Sequence, residues 1–248
     1  MDRTSPAPFR IRMLLGGGSW ILTLLYFVGQ ILAQAAWRTP YSLIDNRVSD
    51  LGNTACGRTL ANTYICSPLH AVMNATFVLT GVLILIGLFL TQPIWPRRRL
   101  TTWGLILLGV AGAGTILVGL SPENVNVLFH LVGALNIPAG NAAMILLGLA
   151  IWRDRRGLAR FSVLAGGIGF LGLLAGPFLV IAGGHGGGLA ERIALYPLII
   201  WLIIFGFATL RGSHLASQSG RHVVVAHERT LEGAGAVRDR TQVDRIPR

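Results

Sequence analysis

Six apolar runs, none with an Asp, Glu or Arg in its middle, constrain this chain more than any other feature: Leu15–Trp37, Pro68–Leu90, Leu100–Leu120, Val125–Trp152, Phe161–Ala182 and Ile193–Leu210. A bilayer core of roughly 30 Å is crossed by a helix of about 20 apolar residues, so each run has the length of a membrane span. A mean hydropathy of +0.61 with 52% hydrophobic residues excludes an ordinary soluble domain. The expected fold is all-α: a polytopic integral membrane protein, a six-helix transmembrane bundle over residues 15–210. The absence of mid-span charges argues against a conduction path or proton relay, which would need them.

The basic residues orient the bundle. All 21 are arginines. Arg3, Arg10 and Arg12 precede the first run, Arg97–Arg99 separate the second and third, Arg153, Arg155, Arg156 and Arg160 separate the fourth and fifth, and Arg211 follows the sixth. The alternate connectors hold only Arg38, Arg47, Arg58 and Arg192. The positive-inside rule therefore predicts a multi-pass protein of the inner membrane with both termini cytoplasmic. The net charge of +11 follows from this topology and from attraction to anionic lipid; it requires no nucleic acid partner. A rival reading takes the basic start, apolar run and Ala33-Gln34-Ala35 as a cleaved signal peptide; the length of the run favours a retained helix. Residues 1–14 form a short cytoplasmic segment. Residues 211–248 are charged, rich in small residues and without apolar period, which predicts a disordered basic tail able to recruit a cytoplasmic protein partner. The tail histidines His214, His222 and His227 lack metal-site spacing.

The extracytoplasmic connector 38–67 holds both cysteines of the chain, Cys56 and Cys66. Thiols outside the cytoplasm are open to oxidation, which favours a disulfide; two free thiols or a metal pair are the alternatives. Ser67-Pro68 and Ser121-Pro122 have the residue order of an N-cap followed by a first helical proline, predicting sharp helix starts. The same side collects the ionisable groups. His70 and Asn74, and then Glu123, Asn126 and His130, are spaced to share helical faces, while Glu191-Arg192 precedes the last run. Asp50, His70, Glu123, His130 and Glu191 are thus candidate acid–base groups. Ser49, Asp50, Asn74, Asn126 and Arg192 are candidate ligand-binding residues, and His70, His130 and Glu123 are candidate ligands for a divalent metal. His185, in a glycine-rich connector, is a weaker candidate. No metalloprotease, nucleophile-elbow or phosphate-loop motif is present. Small residues at Ala165, Gly169, Gly172 and Gly176 predict close helix packing.

Ser49-Asp50-Leu51-Gly52, the helix NATFVLTGVLILIG, the Pro122…His130 pair and Ala190-Glu191-Arg192 together resemble the bacterial membrane-protein family called domain of unknown function 998, over about residues 15–210. Ser-Asp-Leu-Gly is also similar to the Frag1/DRAM/Sfk1 group, associated with lipid biology. The first resemblance implies a compact bundle without an assigned reaction, and singles out Ser49, Asp50, Gly52, Pro122, His130, Glu191 and Arg192. The functional expectation is an extracytoplasmic site that binds, and in a hydrolytic version processes, a membrane lipid or small amphiphile. The alternatives are a transporter using Asn136 and Asn141, and a scaffold acting through the tail.

Overall fold

A computed structural model describes residues 6–58, 64–181 and 185–212. Among them, six helical segments are long and apolar enough to cross a bilayer: Pro8–Ala35, His70–Ile94, Arg99–Leu120, Val127–Ala150, Arg156–Leu179 and Gly187–Gly212. They coincide with the six apolar runs. Their ends reach further at the arginine-bearing flanks, because arginine sustains a helix beyond the apolar stretch. The tail beyond residue 212 lies outside the described residues.

The first span is two helices, α1 (Pro6–Leu22) and α2 (Leu25–Ala35). Between them the Thr23 hydroxyl donates to the Trp20 carbonyl at 2.6 Å. The Leu24 and Tyr26 amides donate three residues back instead of four. Threonine back-bonding of this kind tightens and bends a helix without proline. Helix α3 (His70–Thr91), helix α4 (Arg99–Leu120), the short α5 (Val127–Ala134), α6 (Asn136–Ala150) and α7 (Arg156–Ile181) follow. The last span is α8 (Gly187–Gly212).

Sequence neighbours pack side by side, α1 and α2 on α3, α3 on α4, α4 on α5 and α6, and α6 on α7. Small residues then let α8 close on the first span and on α6 and α7: Gly206 meets Gly17, Leu198 lies over Gly140, and Ala190 and Ala194 border Gly172. The interior has two apolar clusters. One, nearer the arginine-rich end, centres on Trp20, Trp95, Trp201 and Phe205. The other, nearer the 38–67 connector, centres on Tyr26, Trp37, Leu51, Met73 and Phe77. Leu164, Leu171 and Phe178 of α7 point outward, as a lipid-facing surface requires.

Two expected helix starts are corrected. Helix α3 begins at His70, not at Pro68, and Leu69 precedes it without a side-chain cap. Ser67 instead donates its hydroxyl to the Leu51 carbonyl at 2.7 Å. Ser121 closes α4, its amide bonding to Leu117 and Val118 carbonyls. The cap of the next helix is Asn126, whose side chain accepts from the Phe129 amide at 3.1 Å. Asn126 is therefore a helix cap.

Asn136 and Asn141 do not form a joint site. Asn136 donates to Thr115 of α4 at 2.9 Å, and Asn141 donates to the Ala194 carbonyl of α8 at 3.1 Å. Five residues turn a helix by about 140°, so the two amides serve opposite faces of α6. Each ties α6 to a different neighbour.

Candidate functional site: the polar cap

The described parts of the connector, residues 36–58 and 64–69, fold over the ends of the spans as a cap. Its centre is a short 3₁₀ turn, Ser49–Gly52, in which all four residues are buried. A turn of that length has backbone groups to satisfy and no core of its own. Two helices and the connector's own far end supply the partners. Glu191 of α8 accepts the Val48 amide at 2.5 Å, Asn74 of α3 donates to the Gly52 carbonyl at 2.9 Å, and Ser67 holds Leu51.

Arg192, 5% exposed, fixes the preceding stretch. One terminal nitrogen donates to the carbonyls of Leu43, Asn46 and Gly188 at 2.7–3.0 Å. The other donates to the Tyr41 hydroxyl at 2.6 Å, and the guanidinium lies 5.6 Å from the Tyr41 ring. Burial pushes the Tyr41 hydroxyl up to about 12, against the opposing pull of Arg192, so Tyr41 stays neutral. Gly188 is required here, since a Cβ would overlap the Asn46 carbonyl oxygen. Gly186, at φ +90°, gives its amide to Asp45.

Asp50, Arg47 and Glu123 form the outward part. Asp50 accepts the Arg47 amide at 2.7 Å, with the Arg47 Nε 3.7 Å from its other oxygen. Arg47 reaches on to Glu123 at 2.9 Å, joining the connector to the α4–α5 loop. Asn124 doubles that clasp: its side chain exchanges hydrogen bonds with Thr54, and its backbone amide donates to Asn53 Oδ1. Burial pushes the Asp50 carboxyl up to about 6, more than the Arg47 charge and amide pull it down. Three buried acceptor atoms here have no hydrogen-bond partner: Asp50 Oδ1, Glu123 Oε2 and Asn74 Oδ1. Orphaned buried oxygens of this kind are rare and ask for an explanation.

The histidines lie elsewhere. His70 Nδ1 bonds the Ser67 carbonyl at 3.0 Å, His130 Nδ1 bonds the Ser121 carbonyl at 2.9 Å, and exposed His185 pairs with Asp45 at 3.3 Å. Among the described residues no three His, Cys, Asp or Glu side chains converge as a metal site. The candidate triad of His70, His130 and Glu123 is thus not assembled: Glu123 is taken by Arg47, His70 is turned to the Ser67 carbonyl before α3, and His130 to the Ser121 carbonyl that ends α4. Of the candidate acid–base groups, Asp50, Glu123 and Glu191 share one network, and His70 and His130 stand apart. Ser49, Asp50, Asn74 and Arg192 belong to the cap. Arg47 and Tyr41 escaped the sequence reading; an arginine on the arginine-poor side was the available signal.

Cys56 and Cys66 form a disulfide. It lies beside a two-residue hairpin that pairs Gly57 with Ile65 and Arg58 with Tyr64.

Fold and cap define a six-span helical membrane protein with a polar lid at one end. The chain belongs to the family described as protein of unknown function DUF998, whose model matches residues 21–208. No curated protein matches the chain. No solved structure matches it either.

Proposed function

We propose that the cap end binds the polar head of a membrane amphiphile that carries N–H or O–H donors, an amine or a polyol, and does so without chemistry. The observation that supports this is the trio of unpaired buried acceptors, Asp50 Oδ1, Glu123 Oε2 and Asn74 Oδ1. A donor-rich head would suit acceptors of this kind, and a carboxylate makes the strong, charge-assisted version of that bond. Arg47, with its side chain 44% exposed, sits over Asp50 and Glu123 and is the group such a head would displace. The arginine distribution supports an extracytoplasmic position for this end, so the amphiphile is one of the outer leaflet of the inner membrane. A hydrolase reading has less support, because His70 and His130 are turned to the Ser67 and Ser121 carbonyls and not to a carboxylate. The transporter reading loses its local support with the divergence of Asn136 and Asn141.

The test uses the full-length protein in nanodiscs holding equal amounts of phosphatidylethanolamine, whose ammonium carries N–H donors, and phosphatidylcholine, whose ammonium carries none. Native mass spectrometry of the released protein should show ethanolamine lipid retained in preference. Glu123→Gln should reduce that preference by about tenfold, the loss of one charge-assisted bond. Equal retention of both lipids by the wild type would defeat the proposal for amine heads. A preference untouched by Glu123→Gln would place the binding elsewhere.

A further inference from the structure

The opposite end of the bundle holds a second set of unused groups. A cavity of about 200 Å³ is walled by Phe9, Met13, Ile94, Ile151, Leu158 and Phe205, with Trp95 at its side and Arg155 and Gly212 at its rim. Trp95 is 8% exposed, and its indole N–H has no acceptor. A buried Trp N–H ordinarily finds one. The ring cannot turn to seek a partner, because it stacks on Phe205 and Trp201 with centroids 5.7 and 6.4 Å away.

Trp95 is also a wall of a neighbouring hollow of about 450 Å³ that carries Arg97, Arg98 and Arg99. Arg98 spans from that hollow to the α6–α7 turn, donating to the Ala150 carbonyl and lying 3.6 Å from Asp154. The side chain of Arg155, next in that turn, makes no ion pair or hydrogen bond among the described residues. An apolar chamber thus adjoins an arginine-lined one, and Trp95, whose buried N–H is unpaired, lines both.

We infer that this end holds one acidic phospholipid of the adjacent leaflet, an acyl chain in the Trp95 cavity and the phosphate at Arg155 and the neighbouring arginines. The cavity is smaller than the pockets that enclose whole drug-sized ligands, which suits part of one chain and not a complete small molecule. The charge complement is specific: guanidinium forks match phosphate oxygens bidentately, and a zwitterionic lipid offers the same phosphate with its charge already offset. A phosphate or ester oxygen would give the Trp95 N–H its missing acceptor. The site is separate from the polar cap and uses none of its residues.

The experiment is native mass spectrometry of the full-length chain from nanodiscs of equal phosphatidylglycerol and phosphatidylcholine. The wild type should retain phosphatidylglycerol in preference. Arg155→Gln should lower that preference about tenfold, as expected for one lost charge-assisted contact. Ala208→Phe, which fills the cavity, should remove the adduct altogether while leaving every arginine in place. Retention that Ala208→Phe does not change would overturn the inference, as would equal retention of the two lipids by the wild type. A third variant ending at Gly212 covers the other occupant: an adduct seen only after that truncation would mean that the chain's own tail fills the cavity, which overturns the inference as well.

Discussion

The two ends of the bundle treat arginine in opposite ways. At the arginine-rich end the side chains are many, exposed for the most part, and set around hollows; Arg97, Arg99 and Arg153 face outward. At the cap end arginines are few, and the two in the network are committed: Arg192 is buried under four acceptors and Arg47 bridges two carboxylates. Loose cations suit a variable anionic surface such as lipid headgroups. Committed cations organise a loop that has little apolar surface of its own. The same residue type is thus set around open hollows at one end and an internal scaffold at the other.

The sharpest way to break that contrast is Arg192→Met. The substitution keeps much of the length of the side chain and removes the guanidinium donor from the carbonyls of Leu43, Asn46 and Gly188, of which Asn46 keeps the Tyr41 hydroxyl at 3.4 Å. At about 1–3 kcal/mol for each buried acceptor left unpaired, a loss of about 3–5 kcal/mol is expected. Thermal unfolding in mild detergent measures it. Arg155→Gln at the other end should leave the midpoint nearly unchanged, and equal losses in the two variants would erase the distinction.

A second effect is set by pH. Asp50 has its carboxyl raised from the ordinary 3.8 to about 6. Between those values the folded protein keeps a proton that the unfolded chain has released, so this group makes stability fall as pH rises through about 4 to 6 and then level off. A displacement of that size bounds the change at about 3 kcal/mol. Asp50→Asn, which mimics the protonated form, should flatten the profile and raise the unfolding midpoint at pH 7. If the carboxylate serves binding, the same variant should retain less ethanolamine lipid. A protein made more stable and less able to bind would mark Asp50 as a group kept charged for function. A variant less stable at pH 7 would mark it as purely structural.

How far the sequence carried can be judged residue by residue. The six spans were legible because lipid imposes a length and a composition on each helix independently of its neighbours. The disulfide and the shared side of Asp50, Glu123 and Glu191 were legible for a similar reason: topology alone decides which connectors meet. What the sequence could not reveal was direction within that side. His70 and Glu123 look equally available among the polar residues there, yet one turns to the Ser67 carbonyl and the other to Arg47. The Ser-Pro pairs misled because proline fits a turn before a helix as readily as its first position, and Asn126, three residues before Phe129, held the stronger cap signal. Asn136 and Asn141 seemed a pair through proximity in sequence. Only their angular separation on α6 shows that each serves a different neighbour.

The smallest effect is expected at the disulfide, within the cap itself. Closing a loop across a sequence separation of 10 has an entropic ceiling of about 3 kcal/mol, provided that the loop is ordered only in the folded protein. Among the described residues of the loop, Ile65 and Cys66 are buried and the rest are not. Cys56, Gly57, Arg58 and Tyr64 are exposed, and the cap is anchored on either side of them: by Glu191 at Val48 and Asn74 at Gly52 before the hairpin, by Ser67 at Leu51 after it. Without the bridge the hairpin can loosen while the turn beneath stays in place, so chain freedom returns to the folded and unfolded states alike. Replacing both cysteines by serine should therefore cost under about 1 kcal/mol, well below that ceiling, and should speed proteolytic nicking between the two positions. A loss near the ceiling would mean that the hairpin holds the Ser49–Gly52 turn down, and that the buried arginine and glutamate of α8 do not suffice to do so.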